Sequence, residues 1–102
     1  MTGDDMKPCV RVKLRTGFFQ RTDFKLKIAP EGLAFKSVSK DGGDVFISVE
    51  SIKSVTFFGS NLRMEVSTDT LTDAYFMNES DWLRSMTALK EKLGVKVICE
   101  FS

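Results

Sequence analysis

Apolar and polar residues alternate in several segments of the chain, with the period of two that a half-buried β-strand requires. In VRVKLR the apolar residues are Val10, Val12 and Leu14, and FKLKI repeats the pattern from Phe24 to Ile28. The sequence APEG then leads into LAFKSV. Because proline presets one backbone angle and glycine tolerates positive φ, APEG predicts a tight turn and a hairpin.

The alternation continues after the glycine-rich loop SKDGGD. VFISV and SIKSVTFF are each long enough for a strand, and a short polar break at Glu50 and Ser51 separates them. They are therefore sequential antiparallel neighbours or one strand bent at a corner. The residues predicted to point inward here are Val45, Ile47, Val49, Ile52, Val55 and Phe57. NLRMEV and LTDAYFM follow, which brings the count to about seven strands.

The period changes after Asn78. In NESDWLRSMTALKEKLG the apolar residues are three or four positions apart, the spacing of one helical face: Trp82, Leu83, Met86, Leu89 and Leu93. Asn78 is a favourable N-cap and Gly94 a favourable stop, which predicts a helix over about 79–93. The last segment, VKVICEF, predicts an extra terminal strand over about 95–101 and leaves its partner open.

These elements predict a mainly β fold with one C-terminal α-helix. About seven antiparallel strands would form a bent sheet or a partly open barrel, which the helix caps. The order LAFKSV, ISVESIKSVTFF, NLRMEV, LTDAYFM and DWLRSMTALKEKL resembles the pleckstrin-homology-like (PH-like) superfold, including its bacterial and GRAM-type members. The resemblance covers roughly residues 9–93. We expect a flexible N-terminus at 1–8 and a single PH-like domain at 9–102, and the strand after the helix departs from the pattern of the many family members that stop with that helix.

The composition and the absence of histidine limit the classes of function that we expect. The 102 residues are 42% hydrophobic and 28% charged, which suits one globular domain. No apolar run is long enough to cross a bilayer and the first ten residues do not resemble a secretory signal, so we expect a cytoplasmic protein. The chain has no histidine, which removes Ser-His and Cys-His catalysis. We therefore expect no enzymatic activity, no cofactor and no metal site.

Two cysteines, Cys9 and Cys99, lie near opposite ends of the chain. They form no CxxC pair, so they indicate neither a redox motif nor a zinc site. Free thiols suit a cytoplasmic protein. Alternatively, the two termini pair as neighbouring strands and bring the thiols together, which would allow a disulfide on oxidation.

Positive charge is concentrated in the first part of the sequence. Residues 1–40 contain nine basic and four acidic side chains, a net charge of +5, whereas residues 41–102 contain six basic and ten acidic side chains, a net charge of −4. If the first two strands are neighbours, their outward residues form a basic surface that attracts anions. The candidate anion-binding residues are Arg11, Lys13, Arg15, Lys25, Lys27 and Lys36. A solvated strand face that protects a sheet edge is the alternative.

Two pairs of adjacent phenylalanines add candidate contact residues. Neighbouring residues of a strand point to opposite faces, so one member of Phe57–Phe58 is expected to leave the core. Phe18 and Phe19 fall where a loop is expected. Phe18, Phe19 and Phe58 are therefore candidates for exposed contacts with a membrane, a base or a protein, unless the strand is covered on both faces.

Intact fold signals without catalytic chemistry favour a non-catalytic interaction domain. Such a domain would mediate protein-protein contact or self-association through exposed strand edges and loops. The alternative is binding of anionic lipid headgroups or nucleic acid through the basic N-terminal hairpin. In lipid-binding members of the superfamily, basic residues of the first hairpin hold an inositol phosphate. The resemblance places Lys25, Lys27 and Lys36 nearest to those positions.

Overall fold

The computed structural model describes residues 10–15, 21–38 and 43–100. Within these ranges the chain forms eight β-strands and one α-helix. The strands are β1 (Val10–Arg15), β2 (Arg21–Ala29), β3 (Gly32–Ser37), β4 (Val45–Ser48), β5 (Ser54–Phe58), β6 (Arg63–Ser67), β7 (Leu71–Phe76) and β8 (Val97–Glu100), and the helix is α1 (Glu79–Ala88). The predicted mainly β fold with one C-terminal helix is confirmed: seven strands precede the helix and one follows it.

The described strands form one continuous sheet in the order β4-β3-β2-β1-β7-β6-β5-β8. All neighbours are antiparallel except β5 and β8, which are parallel. β4 and β5 are consecutive in sequence but are not paired with each other. A 3₁₀-helix at Val49–Ser51 turns the chain between them, so they are not antiparallel neighbours, and the predicted break is a corner. Strands β4 and β8 are the two edges of the described sheet.

Alternating residues of the strands build the core on the inner face of the sheet. The largest fully buried side chains include Trp82, Phe35 and Phe57. The Trp82 ring meets Phe57 edge to face at 5.8 Å between centroids, and its indole N–H donates to the backbone oxygen of Arg63 at 3.2 Å. Trp82 therefore joins α1 to both β5 and β6.

Three of the six residues predicted to point inward around β4 and β5 are buried, namely Ile47, Val55 and Phe57. The prediction is wrong for Val45, which is 38% exposed, because its strand lies at the sheet edge with a neighbour on one side only. Val49 and Ile52 flank the 3₁₀-helix and are half-buried.

The helix begins as its sequence predicts. The Asn78 side-chain oxygen accepts from the backbone N–H of Asp81 at 2.8 Å, which caps the first turn. After Ala88 the chain continues as a π-helical turn, Leu89–Leu93, and ends at Gly94, whose φ is 63°. The predicted span of 79–93 is thus one helical rod of two geometries. No helix in the described ranges is long and apolar enough to span a membrane.

The terminal strand β8 returns beside β5. Its register pairs Val97 with Val55 and Cys99 with Phe57, and the Gly59 N–H donates to the Glu100 oxygen at 2.7 Å. Parallel pairing follows from the topology, because the helix carries the chain back across the sheet before β8 begins. β8 therefore covers the free side of β5.

A tight contact at Gly32 fixes β4 at the opposite edge. Pro30 and Glu31 form the two-residue connection of the β2–β3 hairpin, and Gly32 follows with φ of 152°. A Cβ atom at this position would lie 2.1 Å from the backbone oxygen of Ile47 in β4. Only glycine permits this approach.

Candidate functional site

The outer face of β1, β2 and β3 is strongly basic. Alternation turns their apolar residues inward and leaves one acidic and seven basic side chains outside, a net charge of +6. The acid is Asp23. The basic residues are Arg11, Lys13, Arg15, Arg21, Lys25, Lys27 and Lys36. The structure thus brings all six candidate anion-binding residues onto one sheet face, together with Arg21, and we call this surface the basic face.

Asp23 neutralises the middle of the basic face in part. The Lys13 ammonium donates to Asp23 Oδ1 at 2.7 Å, and the Arg11 guanidinium lies 3.9 Å from Oδ2. The hydrogen bond from Lys13 has the largest effect and lowers the pKa of Asp23. Desolvation opposes it in part, and the charges of Lys13 and Arg11 lower this pKa further. Lys13 and Arg11 are therefore less available to an external anion than their number suggests.

A second acid, Asp73 of β7, lies near the C-terminal end of β1, where it faces Arg15. Its carboxylate lies 3.8 Å from Arg15 and 3.6 Å from Arg63, and its side chain is 15% exposed. The Arg63 guanidinium also lies 4.2 Å above the Phe58 ring. Phe58, a candidate contact residue, is half-buried beneath this arginine.

The Arg21 side chain makes a cation–π contact with an aromatic ring. Its guanidinium lies 4.0 Å above the ring of Tyr75, which places this side chain across β1 toward β7. The rings of Tyr75 in β7 and Phe58 in β5 are thus each covered by an arginine.

Three lysines of the basic face have no such partner. Within the described ranges, no acidic side chain lies within 4 Å of Lys25, Lys27 or Lys36. The register places Lys25 of β2 directly opposite Lys36 of β3. Like charges at opposed positions of a sheet destabilise it, so this pair lowers the stability of the free domain.

Exposed apolar surface lies next to these lysines. Phe46 of β4 is 57% exposed, and the register row runs from Lys27 through Ala34 to Phe46. The small side chain of Ala34 separates the lysine from the ring. We call Lys25, Lys27, Ala34, Lys36 and Phe46 together the lysine–phenylalanine face.

The sequence contains a signal for the outward position of Phe46. If Val45 and Ile47 point inward, strand alternation places Phe46 on the outer face. Two other candidates, Phe18 and Phe19, lie outside the described residues, as does Cys9. Cys99 is half-buried in β8. Because Cys9 lies outside the described residues, a disulfide between the two cysteines stays a prediction.

Comparison with known proteins supplies similarity of fold. No protein-family model matches the sequence, and no curated protein matches it. Three solved structures are similar in shape. A chain of the Spt16D–Pob3N heterodimer has a TM-score of 0.72 at 14% identity, over 90% of this chain and 53% of that one. The N-terminal PH domain of human ARAP2 has a TM-score of 0.71 at 13% identity, over 91% and 84%. The PH domain from PfAPH has a TM-score of 0.60 at 14% identity, over 82% and 78%.

These similarities establish a PH-like fold. This chain spans about half the length of the Spt16D–Pob3N chain that it matches. At 13–14% identity the likeness is one of architecture, and a shared fold does not by itself specify a function.

Proposed function

We propose that this chain is a non-catalytic interaction domain that binds a protein partner through the lysine–phenylalanine face. The observation that carries the proposal is the opposed pair Lys25 and Lys36, which have no acidic partner among residues 10–15, 21–38 and 43–100, beside a phenylalanine that is 57% exposed. Both features lower the stability of the free domain or its solubility, and both are relieved when a complementary surface covers them.

The mixture of groups favours a protein as partner. Aromatic side chains dominate the energetics of protein interfaces, and surrounding charges guide association and exclude wrong partners. Phe46 supplies the aromatic group, and the lysines supply charge around it. The short, uncharged strand β4 leaves both accessible at the sheet edge.

The proposal is tested by immobilising the wild-type domain and its variants and comparing the proteins that each one captures from cell extract. We expect Phe46→Ser to lose specific partners that the wild-type domain retains. Leu83→Ser is the matched control, because Leu83 is also exposed but lies on α1. Equal capture by the Phe46 variant and the wild-type domain contradicts the proposed surface. Light-scattering mass on the same samples identifies a second copy of the chain as the partner.

The second candidate function is binding of anionic lipid headgroups or nucleic acid through the whole basic face, and the net charge of +6 favours it. Its test is binding to phosphatidylcholine vesicles with and without phosphatidylserine or a phosphoinositide, and to single-stranded DNA, at low and moderate salt. Electrostatic binding falls steeply as salt rises. Salt-insensitive binding, or none, contradicts this candidate.

A further inference from the structure

We infer that the partner presents an acidic segment with an apolar residue that packs on Ala34 beside Phe46. This inference rests on the proposed function and adds the chemistry of the bound segment. It follows from how charge and apolar surface are arranged across three adjacent strands.

The charges form a row across the strands. Arg11 of β1 pairs in register with Lys25 of β2, which pairs with Lys36 of β3. Neighbouring strands are about 5 Å apart, so the Cα atoms of these three basic residues span about 10 Å along a line perpendicular to the strands. A segment that crosses the strands along this line places successive carboxylates near successive cations. Arg11 shares Asp23 at 3.9 Å, which leaves the two lysines as the principal contacts.

The apolar position lies in the next row. Lys27, Ala34 and Phe46 are register neighbours on β2, β3 and β4. Because alanine is much smaller than lysine or phenylalanine, we expect a shallow depression over Ala34 that the Phe46 ring borders on one side. An aliphatic side chain in this depression covers the exposed ring, while the lysine stem lines the other side.

Nearby acids favour a peptide over a continuous phosphate polymer. Asp44 precedes β4, and its Oδ1 accepts from the Ser37 N–H at 3.0 Å. Glu31 lies in the turn at the other end of β3. A uniformly anionic chain that extended past the lysines in either direction would meet these carboxylates. A peptide that carries its acids only opposite Lys25, Lys27 and Lys36 avoids that repulsion.

Three 12-residue peptides test the inference by fluorescence anisotropy and by amide chemical shifts of the labelled domain. The first contains aspartate and glutamate around two leucines. In the second, asparagine and glutamine replace the acids, and in the third, serine replaces the leucines. We expect the first to bind, with the largest shifts on β3 and β4. Each of the others should bind at least fivefold more weakly, since several ion pairs or the apolar contact are removed.

Matched variants locate the site. Lys25→Gln with Lys36→Gln removes the opposed charges and should weaken the first peptide about tenfold, on the basis of modest exposed ion pairs. Lys90→Gln with Lys92→Gln removes two exposed lysines at the end of the helical rod and should leave binding unchanged. Unfolding curves show that each variant is folded, and relief of like-charge repulsion should keep the first at least as stable as wild type.

The outcomes separate the inference from the proposed function. If no peptide binds but partner capture still depends on Phe46, the inference is wrong and the proposed function stands. If capture does not depend on Phe46, the proposed function fails, whatever the peptides do. Binding of the first peptide that is unaffected by the Lys25 and Lys36 variants overturns the inference. Vesicle binding that is lost in those variants, without peptide binding, also overturns it in favour of a lipid headgroup.

Discussion

The sheet leaves no room for a side chain at Gly32. We predict that Gly32→Ala strongly destabilises the domain and loosens β4. At this position φ is 152°, and the new methyl group would lie 2.1 Å from the Ile47 backbone oxygen. A flexible side chain cannot relieve the contact, because the obstructing atoms belong to the backbone. β4 must move away from β3, or the hairpin must change shape.

The magnitude follows from two costs. Holding alanine in a sparsely populated backbone region costs about 1–3 kcal/mol. Displacing packed atoms to admit a methyl group costs about 1–3 kcal/mol more. The displacement also stretches the hydrogen bond from the Val49 N–H to the Glu31 oxygen, which is 2.9 Å long. We therefore expect the free energy of unfolding to fall by about 2–6 kcal/mol and the Tm by at least about 10 °C.

Urea and thermal unfolding followed by circular dichroism measure this loss, and amide hydrogen exchange locates it. Gly43→Ala is the control, because a Cβ there has nothing within 4 Å. That variant should lie within about 1 kcal/mol of wild type. A Gly32→Ala domain whose stability is also within that range, with wild-type exchange in β4, refutes the reasoning. If the prediction holds, partner capture should fall as well, since β4 carries Phe46.

Four further predictions concern single side chains. Ser85 is buried on α1, and its hydroxyl has no hydrogen-bond partner in the described part of the chain. Ser85→Ala should therefore raise the free energy of unfolding by about 0.5–2 kcal/mol. A lower free energy of unfolding in urea titration contradicts this. Asn78→Ala removes the helix cap and should cost about 1 kcal/mol, whereas Asn78→Asp should keep most of the stability in the same assay. The folded-state pKa of Asp23 is lowered below its unfolded value. The contribution of Asp23 to the free energy of unfolding is therefore fully present above about pH 4 and disappears as the pH falls through the folded-state pKa. Unfolding from pH 6 to 2 should therefore show a smaller acid-induced loss for Asp23→Asn than for wild type, and parallel curves would contradict it. Lys36→Glu replaces a repulsive pair with Lys25 by an attractive one and should stabilise the free domain by about 0.5 kcal/mol while weakening partner capture; unchanged capture contradicts the assigned role of Lys36.

The parts of the fold that could be predicted from the sequence depend on local periodicity. The strand from Val10 to Arg15 and the helix start at Asn78 are examples, because alternation and capping are properties of a few consecutive residues. The parallel pairing of β8 with β5 was not predictable in this way. It depends on where the helix delivers the chain, and no short-range signal encodes that. The π-helical turn at Leu89–Leu93 likewise has the same apolar spacing as an α-helix would show.

For the candidate site, the sequence likewise predicts the features that depend on local alternation but not those that depend on contacts between distant strands. Alternation alone places Lys25, Lys27 and Lys36 on an outer strand face. It cannot show which basic residues are neutralised, because Asp73 approaches Arg15 from a strand that is more than fifty residues away in sequence. The exposure of Phe46 similarly depends on the fact that β4 is an edge strand, which only the strand order reveals.

The distribution of partners on the basic face itself argues for function. Folding brings Asp23 to Lys13 and Arg11, and Asp73 to Arg15, so the fold already compensates the cations of β1. An acid at Lys25 or Lys36 would have done the same for β2 and β3 at no cost in packing, since both side chains are exposed. Folding therefore gives no reason for two opposed lysines beside an exposed ring. A bound acidic segment gives one, because it supplies in the complex the counter-charge and the apolar cover that the described part of the chain does not provide.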